Sequence, residues 1–208
     1  VAAWRGGLWA QALGGQAACE ALGAEGRRTL GAELQRRFDD VRLGELAWVH
    51  GATALVDRLH RAGLLTCVIT NGHSEVQHPK LEALRASALF EHILVGGDEV
   101  QAGRKEKPDP GIFARACAMT GVAAAEAIHV GDSLGADVRG AIDAGLRAAV
   151  WVSPDAAEPP PGAPAPQFTV GHVEELPNVL VALGCPLPPA AGWRAPGDVA
   201  SAGSPGGP

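Results

Sequence analysis

The sequence predicts an α/β protein in which a parallel β-sheet is flanked by helices. From about residue 52 onward, short apolar runs of strand length alternate with longer segments whose apolar residues recur at helical spacing. The apolar runs are nearly continuous, which is typical of parallel strands that are covered on both faces. Hydrophobic residues make up 47% of the 208 positions, enough for one sizeable core.

The individual elements follow from apolar spacing and from the residues that break it. Before residue 50, apolar residues at helical spacing are interrupted near Gly14-Gly15 and Gly23, which predicts two or three helices. Next, an amphipathic segment from Ala52 ends at Gly63 and leads into an apolar run, so a helix feeds a buried strand. Strands are predicted at Leu64–Ile69, His92–Val95, Ala127–Val130, Ala148–Val152 and Phe168–Val170, and further helices at Ser74–Ala86, Pro110–Thr120, Gly135–Ala144 and Val173–Leu183.

Three regions are expected along the chain. Residues 1–49 form a helical segment, residues 50–185 form the α/β core, and residues 186–208, rich in Pro, Gly and Ala, form a flexible tail. The chain begins with Val1 and its only methionine is Met119, so we expect the sequence to be a fragment or a processed form.

Composition excludes several classes of function. Seventeen basic against 23 acidic residues give a net charge of −6, and no basic cluster is present that could track a nucleic acid or an anionic membrane. No apolar stretch is long enough to span a membrane. The cysteines are scattered, which indicates neither a zinc site nor a disulfide framework and favours the reducing cytoplasm; they are Cys19, Cys67, Cys117 and Cys185. The sequence predicts no oligomeric state.

The most informative motif is the acidic turn from Gly131 to Asp137. It follows the predicted strand Ala127–Val130, so Asp132 is delivered to the carboxyl edge of the sheet, where open α/β sheets bind ligands. A carboxylate placed there suits Mg²⁺, which is held by one or two carboxylates together with waters and a substrate phosphate. The alternative is a strand-to-helix turn with an Asp cap.

Two further segments lie at the ends of predicted strands. Thr70, Asn71 and Gly72 follow the first apolar run directly, and a hydroxyl, an amide and backbone N–H groups at such a turn can hold phosphate oxygens. Lys107 precedes a proline in a charged loop, where its ammonium could be held toward an anion. Each has a plain alternative: an Asn-Gly turn that reverses the chain, and a solvated lysine.

Taken in order, Thr70, Lys107 and Asp132 with Asp137 resemble the motifs of the haloacid dehalogenase (HAD) superfamily of phosphatases. The resemblance covers about residues 52–183 and implies a Rossmann-like parallel sheet with a helical cap, of which residues 1–49 would be a part. It implies a Mg²⁺-dependent hydrolase of a small phosphorylated metabolite, acting through an aspartyl-phosphate. In these roles Thr70, Asn71 and Gly72 bind the phosphoryl group and Lys107 neutralises its charge. Asp132 ligates Mg²⁺, and Asp137 orients the site.

Within that superfamily, the sequence is most similar to the N-acylneuraminate-9-phosphatase family. The similarity is carried by Ile69-Thr70-Asn71-Gly72, Val95-Gly96-Gly97, Glu106-Lys107-Pro108 and Val130-Gly131-Asp132-Ser133-Leu134. A sialic-acid 9-phosphate is therefore the first expected substrate, with phosphoglycolate or another sugar phosphate as the alternative. A non-enzymatic phosphate-binding module remains a further alternative.

The superfamily's first motif, an apolar strand ending in Asp-x-Asp-x-Thr or Val, is absent from the sequence. Asp39-Asp40 is the nearest acidic pair, but it stands in a helical pattern and is rejected as the nucleophile. We expect the missing strand to precede Val1 and the 208-residue chain to be inactive. That strand lies centrally in the sheet of the superfamily, so we also expect two unpaired strand edges and low stability.

Overall fold

A computed structural model describes residues 2–14, 16, 21–155 and 157–188. Most of the predicted tail, residues 189–208, lies outside the described residues, as does Cys19. None of the helices in the described ranges is long and apolar enough to cross a membrane.

The N-terminal segment is a pair of packed helices, α1 (Ala2–Gly14) and α2 (Gly23–Gly44). The indole N–H of Trp9 on α1 donates to Oε1 of Gln35 on α2 at 3.2 Å, and Gln35 is buried. After α2, Trp48 donates to the carbonyl of Leu84 at 3.1 Å and ties this segment to the core. The acidic pair Asp39-Asp40 lies within α2, as the helical pattern predicts.

The core alternates helices and strands as predicted, with shifts of a few residues at the ends and one short helix, Gly96–Gln101, that the sequence did not predict. The apolar run near residue 64 becomes a strand only from Cys67, and the helix that begins at Ser74 stops at Ala83. Arg85 has a φ of 49°, a left-handed conformation that does not continue a helix. In chain order the elements are α3 (Ala52–Arg61), β1 (Cys67–Thr70), α4 (Ser74–Ala83), β2 (His92–Val95), α5 (Gly96–Gln101), α6 (Pro110–Thr120), β3 (Ile128–Gly131), α7 (Arg139–Asp143), β4 (Ala148–Val152), β5 (Phe168–Val170) and α8 (Leu176–Ala182).

The helix predicted at Gly135–Ala144 has two parts. It begins as a π-helical turn, Leu134–Val138, in which the N–H groups of both Asp137 and Val138 donate to the carbonyl of Ser133 at 2.8 and 3.1 Å. It then continues as α7. Single π turns of this kind are frequent at functional sites, and this one forms the second half of the acidic turn and contains Asp137.

The described strands form two parallel sheets. One pairs β1 with β2, placing Thr70 opposite Val95, and the other has the order β3-β4-β5, placing Gly131 opposite Trp151. Both β1 and β3 therefore have a single strand partner among the described residues. Between them lies an apolar groove of about 740 Å³, and its walls include Val68, Ile69, Ile128, His129 and Val130.

Two hydrophobic cores cover the two faces of the larger sheet. Because successive side chains of a strand point to opposite faces, Ala149 and Trp151 of β4 join one core while Val150 between them joins the other. The first core is built on α6, with Ile112 and Phe113 almost fully buried. The second contains residues of α3 and α8. This layering fixes the carboxyl ends of β1 and β3, where the predicted site residues lie.

Candidate active site

Lys107 is the centre of the candidate site. Its Nζ donates to the carbonyl of Ile69 at 2.8 Å and to Oδ1 of Asp137 at 2.7 Å. The Lys107 side chain is only 10% exposed and that of Asp137 only 6%. The structure thus brings together residues from three separate segments, the end of β1, the loop before α6 and the turn after β3. The alternative of a solvated surface lysine is wrong for this residue.

Asn71 holds the Lys107 loop against the end of β1. Its amide Nδ2 donates to the Lys107 carbonyl at 2.7 Å, while its Oδ1 accepts from the Lys107 backbone N–H at 3.0 Å. The side-chain amide is therefore already used within the protein, which differs from the expectation that it faces a phosphate. In this structure the Asn71 side chain fixes the backbone of Lys107.

Gly72 is also placed differently from the expected phosphate donor. Its N–H donates to Oε2 of Glu106 at 3.0 Å, and its carbonyl accepts from the N–H of Gly97 at 2.9 Å. Of the groups expected at this turn, the Thr70 hydroxyl stays open, since it makes no hydrogen bond to another described residue. Thr70 is partly exposed at the last position of β1.

Asp132 follows β3 and is exposed. Its carboxylate has no hydrogen-bond partner within the described ranges, so it is available to a ligand. Its backbone carbonyl accepts from the indole N–H of Trp151 at 2.8 Å. Trp151 is a nearly buried residue of β4, and this bond fixes the start of the acidic turn to the neighbouring strand.

Asp137 folds back over β3, and its carboxylate accepts three hydrogen bonds. Oδ1 receives the Lys107 ammonium and Nε2 of His129, the latter at 2.8 Å, and Oδ2 receives the N–H of Ser133 at 3.0 Å. Gly131 is required beneath it, because a Cβ there would lie 2.3 Å from the Asp137 carboxyl carbon. Burial by itself raises the pKa of Asp137, but the hydrogen bonds from His129, Lys107 and Ser133 outweigh it and hold the pKa well below its ordinary value.

His129 belongs to this cluster although sequence reasoning did not select it. It stands inside an apolar strand, three residues before Asp132, and this spacing does not by itself show that the two residues serve one site. One signal was present. Side chains two apart on a strand share a face, and His129 therefore lies on the same face as Gly131, over which Asp137 folds.

The residues present fit a magnesium ion that is held by few protein ligands. No group of three or more His, Cys, Asp or Glu side chains in the described ranges is arranged to bind a metal by itself. Asp132 offers one open carboxylate, whereas Asp137 is engaged with Lys107 and His129. Mg²⁺ usually keeps several waters and takes one or two carboxylates and a substrate phosphate, and a single free Asp at the carboxyl edge of the strands is compatible with that ligand set.

Comparison with known proteins gives the family. Residues 7–145 match the sequence profile of the haloacid dehalogenase-like hydrolases. The chain belongs to this family. The match covers most of the helical segment and continues through the α/β core as far as Gly145, just after α7, so the HAD fold expected from the sequence is confirmed.

Two curated relatives illustrate the similarity. Over 166 residues the chain is 32% identical to N-acylneuraminate-9-phosphatase of Homo sapiens, an alignment that covers 80% of this chain and 65% of that protein. Over 125 residues it is 39% identical to phosphoserine phosphatase of Thermus thermophilus, covering 60% of this chain and 48% of that one. The chain thus spans at most about two thirds of the length of these HAD phosphatases.

A solved structure shows the same fold. The 2-haloacid dehalogenase of Pseudomonas syringae pv. Tomato superposes with a TM-score of 0.62 and 26% sequence identity, over 88% of this chain and 72% of that one. The arrangement of helices around the parallel strands is therefore that of the HAD fold.

Proposed function

We propose that this HAD-family chain carries the phosphate-binding and magnesium-binding part of a phosphomonoester hydrolase that acts on a small phosphorylated metabolite through an aspartyl-phosphate. The observation that carries the proposal is the buried Lys107 ammonium, fixed between the end of β1 and Asp137 at the carboxyl edge of the strands. In a protein with a net charge of −6, a preorganised cation at this edge provides the local attraction that an anionic substrate needs.

The geometry supports a division of roles among the chain's own residues. An ammonium has three N–H donors, and Lys107 uses two of them on Ile69 and Asp137, so one stays available for a phosphoryl oxygen. The open hydroxyl of Thr70, next to Ile69 in β1, is a second donor at the carboxyl end of the same strand. Phosphoryl transfer depends mainly on such positioning and charge stabilisation, because charge spreads over the three equatorial oxygens.

Asp132 is the residue that would hold Mg²⁺. Its carboxylate is exposed and unengaged, while its backbone is fixed by Trp151. When bound, the metal would supply positive charge next to the transferring phosphate and so assist its binding. Asp137 would keep Lys107 in place and would not itself bind the substrate.

The nucleophile is the part that the chain does not provide. The sequence contains no Asp-x-Asp pair, and Asp39-Asp40 lies in α2. The groove between β1 and β3 favours a further strand at this position, since neither flanking strand has a partner on that side among the described residues and the walls are mainly apolar. A strand that ends in an acidic residue at this place would bring a carboxylate to the carboxyl edge beside Lys107. We therefore expect the 208-residue chain by itself to be inactive.

For the substrate, N-acylneuraminate 9-phosphate is our first proposal. It is supported by the 32% identity to the human phosphatase of that name across 80% of this chain. Phosphoglycolate or another sugar phosphate is the alternative substrate. A phosphate-binding module without catalysis is the alternative function, and it is favoured by the absence of the nucleophile motif from the sequence.

The test is a phosphate-release assay with a panel of phosphorylated sugars, sugar acids and amino acids. We expect the product of the complete coding sequence to hydrolyse N-acylneuraminate 9-phosphate in a Mg²⁺-dependent manner and the 208-residue chain to release no phosphate. Asp132→Ala should lower turnover by at least about 100-fold, whereas the exposed Asp143→Ala on α7 should leave it unchanged. Phosphate and Mg²⁺ binding without turnover in the complete product would favour the non-enzymatic module, and absence of both would overturn the proposal.

A further inference from the structure

The side chain of His129 lies next to the candidate site, largely buried on the wall of the groove between β1 and β3. It is 13% exposed, and its ring meets the ring of Phe113 edge to face, with centroids 5.0 Å apart and an interplanar angle of 88°. Phe113 is 1% exposed and is in turn held against α7, where a Cβ on Gly140 would lie 2.4 Å from its ring. The imidazole therefore has a rigid wall on one side and the Asp137 carboxylate at its Nε2.

We propose that His129 is a positioning residue that fixes the Asp137 carboxylate and, through it, the ammonium of Lys107. This inference rests on the proposed function, in which the Lys107 ammonium binds the phosphate of the substrate. The geometry itself stands without that function. Nothing in the motifs of the sequence assigns a role to this histidine.

The hydrogen bonds around Asp137 show why a third donor matters. An ionised carboxylate only accepts, so Nε2 of His129 must carry a proton and donate to Oδ1. Lys107 donates to the same oxygen at 2.7 Å, and the Ser133 N–H holds the other oxygen at 3.0 Å. Without His129, the carboxylate would be fixed from the backbone of one turn and by a flexible lysine, and it could rotate about its Cβ–Cγ bond.

Rotation of the carboxylate would displace the cation. The Lys107 ammonium has a second protein acceptor in the Ile69 carbonyl, which limits its movement to one side only. Both acceptors are needed to direct its third N–H toward the ends of β1 and β3. Groups that orient a functional residue in this way typically change affinity or activity by about 10- to 100-fold when they are removed.

Two substitutions separate the hydrogen bond from the packing. His129→Gln keeps a donor near the position of Nε2, whereas His129→Leu keeps an apolar volume against Phe113 and removes the donor. The readouts are the side-chain ¹⁵NH₃⁺ signal of Lys107, assigned by its loss in Lys107→Arg, and the affinity for orthophosphate at saturating Mg²⁺ measured by calorimetry. Lys105 is an internal control, because its side chain is 80% exposed and its ammonium should exchange too fast to be seen in any variant.

We expect the Lys107 signal in the wild type and in His129→Gln, and its loss by exchange in His129→Leu. Orthophosphate affinity should fall about 10-fold in His129→Leu and stay within about twofold in His129→Gln. Equal effects of both substitutions, or an unchanged Lys107 signal in His129→Leu, would overturn the proposal.

A measurement on the unmodified chain keeps the proposal testable if a variant does not fold. Long-range ¹H–¹⁵N spectra of the imidazole should show a proton on Nε2 of His129, and an unprotonated Nε2 would overturn the proposal. If the wild type binds no orthophosphate while the Lys107 and His129 signals behave as expected, the role of His129 is supported and the proposed function is contradicted.

Discussion

The buried carboxylate of Asp137 is the residue on which the candidate site depends most. Its pKa is depressed, because donors from His129, Lys107 and Ser133 overcome the cost of burial. A depressed carboxyl pKa means that the unfolded chain binds the proton more tightly than the folded one. The interaction thus stabilises the fold fully above the ordinary Asp value of about 3.9, and this stabilisation is lost as the pH falls below it.

Asp137→Asn tests this contribution. At pH 7 we expect a loss of about 3 kcal/mol in the free energy of unfolding, because the substitution leaves Lys107 buried with an uncompensated charge. The difference between wild type and variant should shrink as the pH is lowered from about 5 toward 3, where the wild-type carboxylate begins to lose its advantage. Urea unfolding at several pH values measures it, with the exposed Asp143→Asn as control. A difference that is constant with pH would contradict the assignment.

The role of a single residue could be predicted only where the adjacent sequence formed a recognisable pattern. Lys107 was selected by its place before a proline and Asp132 by its place after an apolar strand, and the structure sets both at the carboxyl edge. Glu106 and His129 were missed. Glu106 accepts from Gly72, which lies 34 residues away, so only the fold brings the two together.

At the scale of the elements, the turn after β3 connects backbone shape to site geometry. The π-helical turn Leu134–Val138 places Asp137 directly above Gly131, close enough that the glycine has no room for a side chain. From this position the carboxylate accepts hydrogen bonds from both His129 and Lys107. The wider first turn departs from regular α-helix geometry, and it places the Asp137 side chain over β3.

Gly131→Ala should break this arrangement. The added Cβ would lie within 2.7 Å of three atoms of the Asp137 side chain, so the carboxylate must move away from its donors. We expect a destabilisation of about 2 kcal/mol from overpacking, measured by thermal or urea unfolding. Gly135→Ala in the same turn is the matched control, since a Cβ there meets nothing within 4 Å. Equal stability of the two variants would show that Asp137 is not held over the strand.

Element type was predicted better than element ends. Apolar runs predict each of the five strands in the described part of the core, but the run from Leu64 becomes a strand only at Cys67, where pairing with β2 begins. Strand pairing is a contact between distant segments, and composition along one segment does not show where it starts. The sequence likewise predicts a regular helix where the π turn lies. The turn is defined by the hydrogen bonds to the Ser133 carbonyl, and no helix-breaking residue marks it.

At the scale of the whole molecule, the main feature is that the described strands form two separate sheets. Inside a continuous parallel sheet, β1 and β3 would each be hydrogen-bonded to a neighbouring strand on both sides. Within the described ranges, each has a partner strand on one side only. The groove between them is lined mainly by apolar side chains from both strands and from the helices that cover them, with His129 among the polar exceptions. Unpaired edges next to apolar surface favour association with another strand.

Amide hydrogen exchange tests whether these edges are open in solution. Amides of β4 lie between two strands, with Val150 paired to both Val130 and Phe168, and should be among the best protected in the chain. In β1 and β3, the amides that point into the groove have no described acceptor, so we expect them to exchange at least about 100-fold faster than those of β4. The same strands in the product of the complete coding sequence should be protected if a further strand fills the groove. Uniform protection across β1, β3 and β4 in the 208-residue chain would mean that the two sheets close on each other and leave no place for a further strand between them.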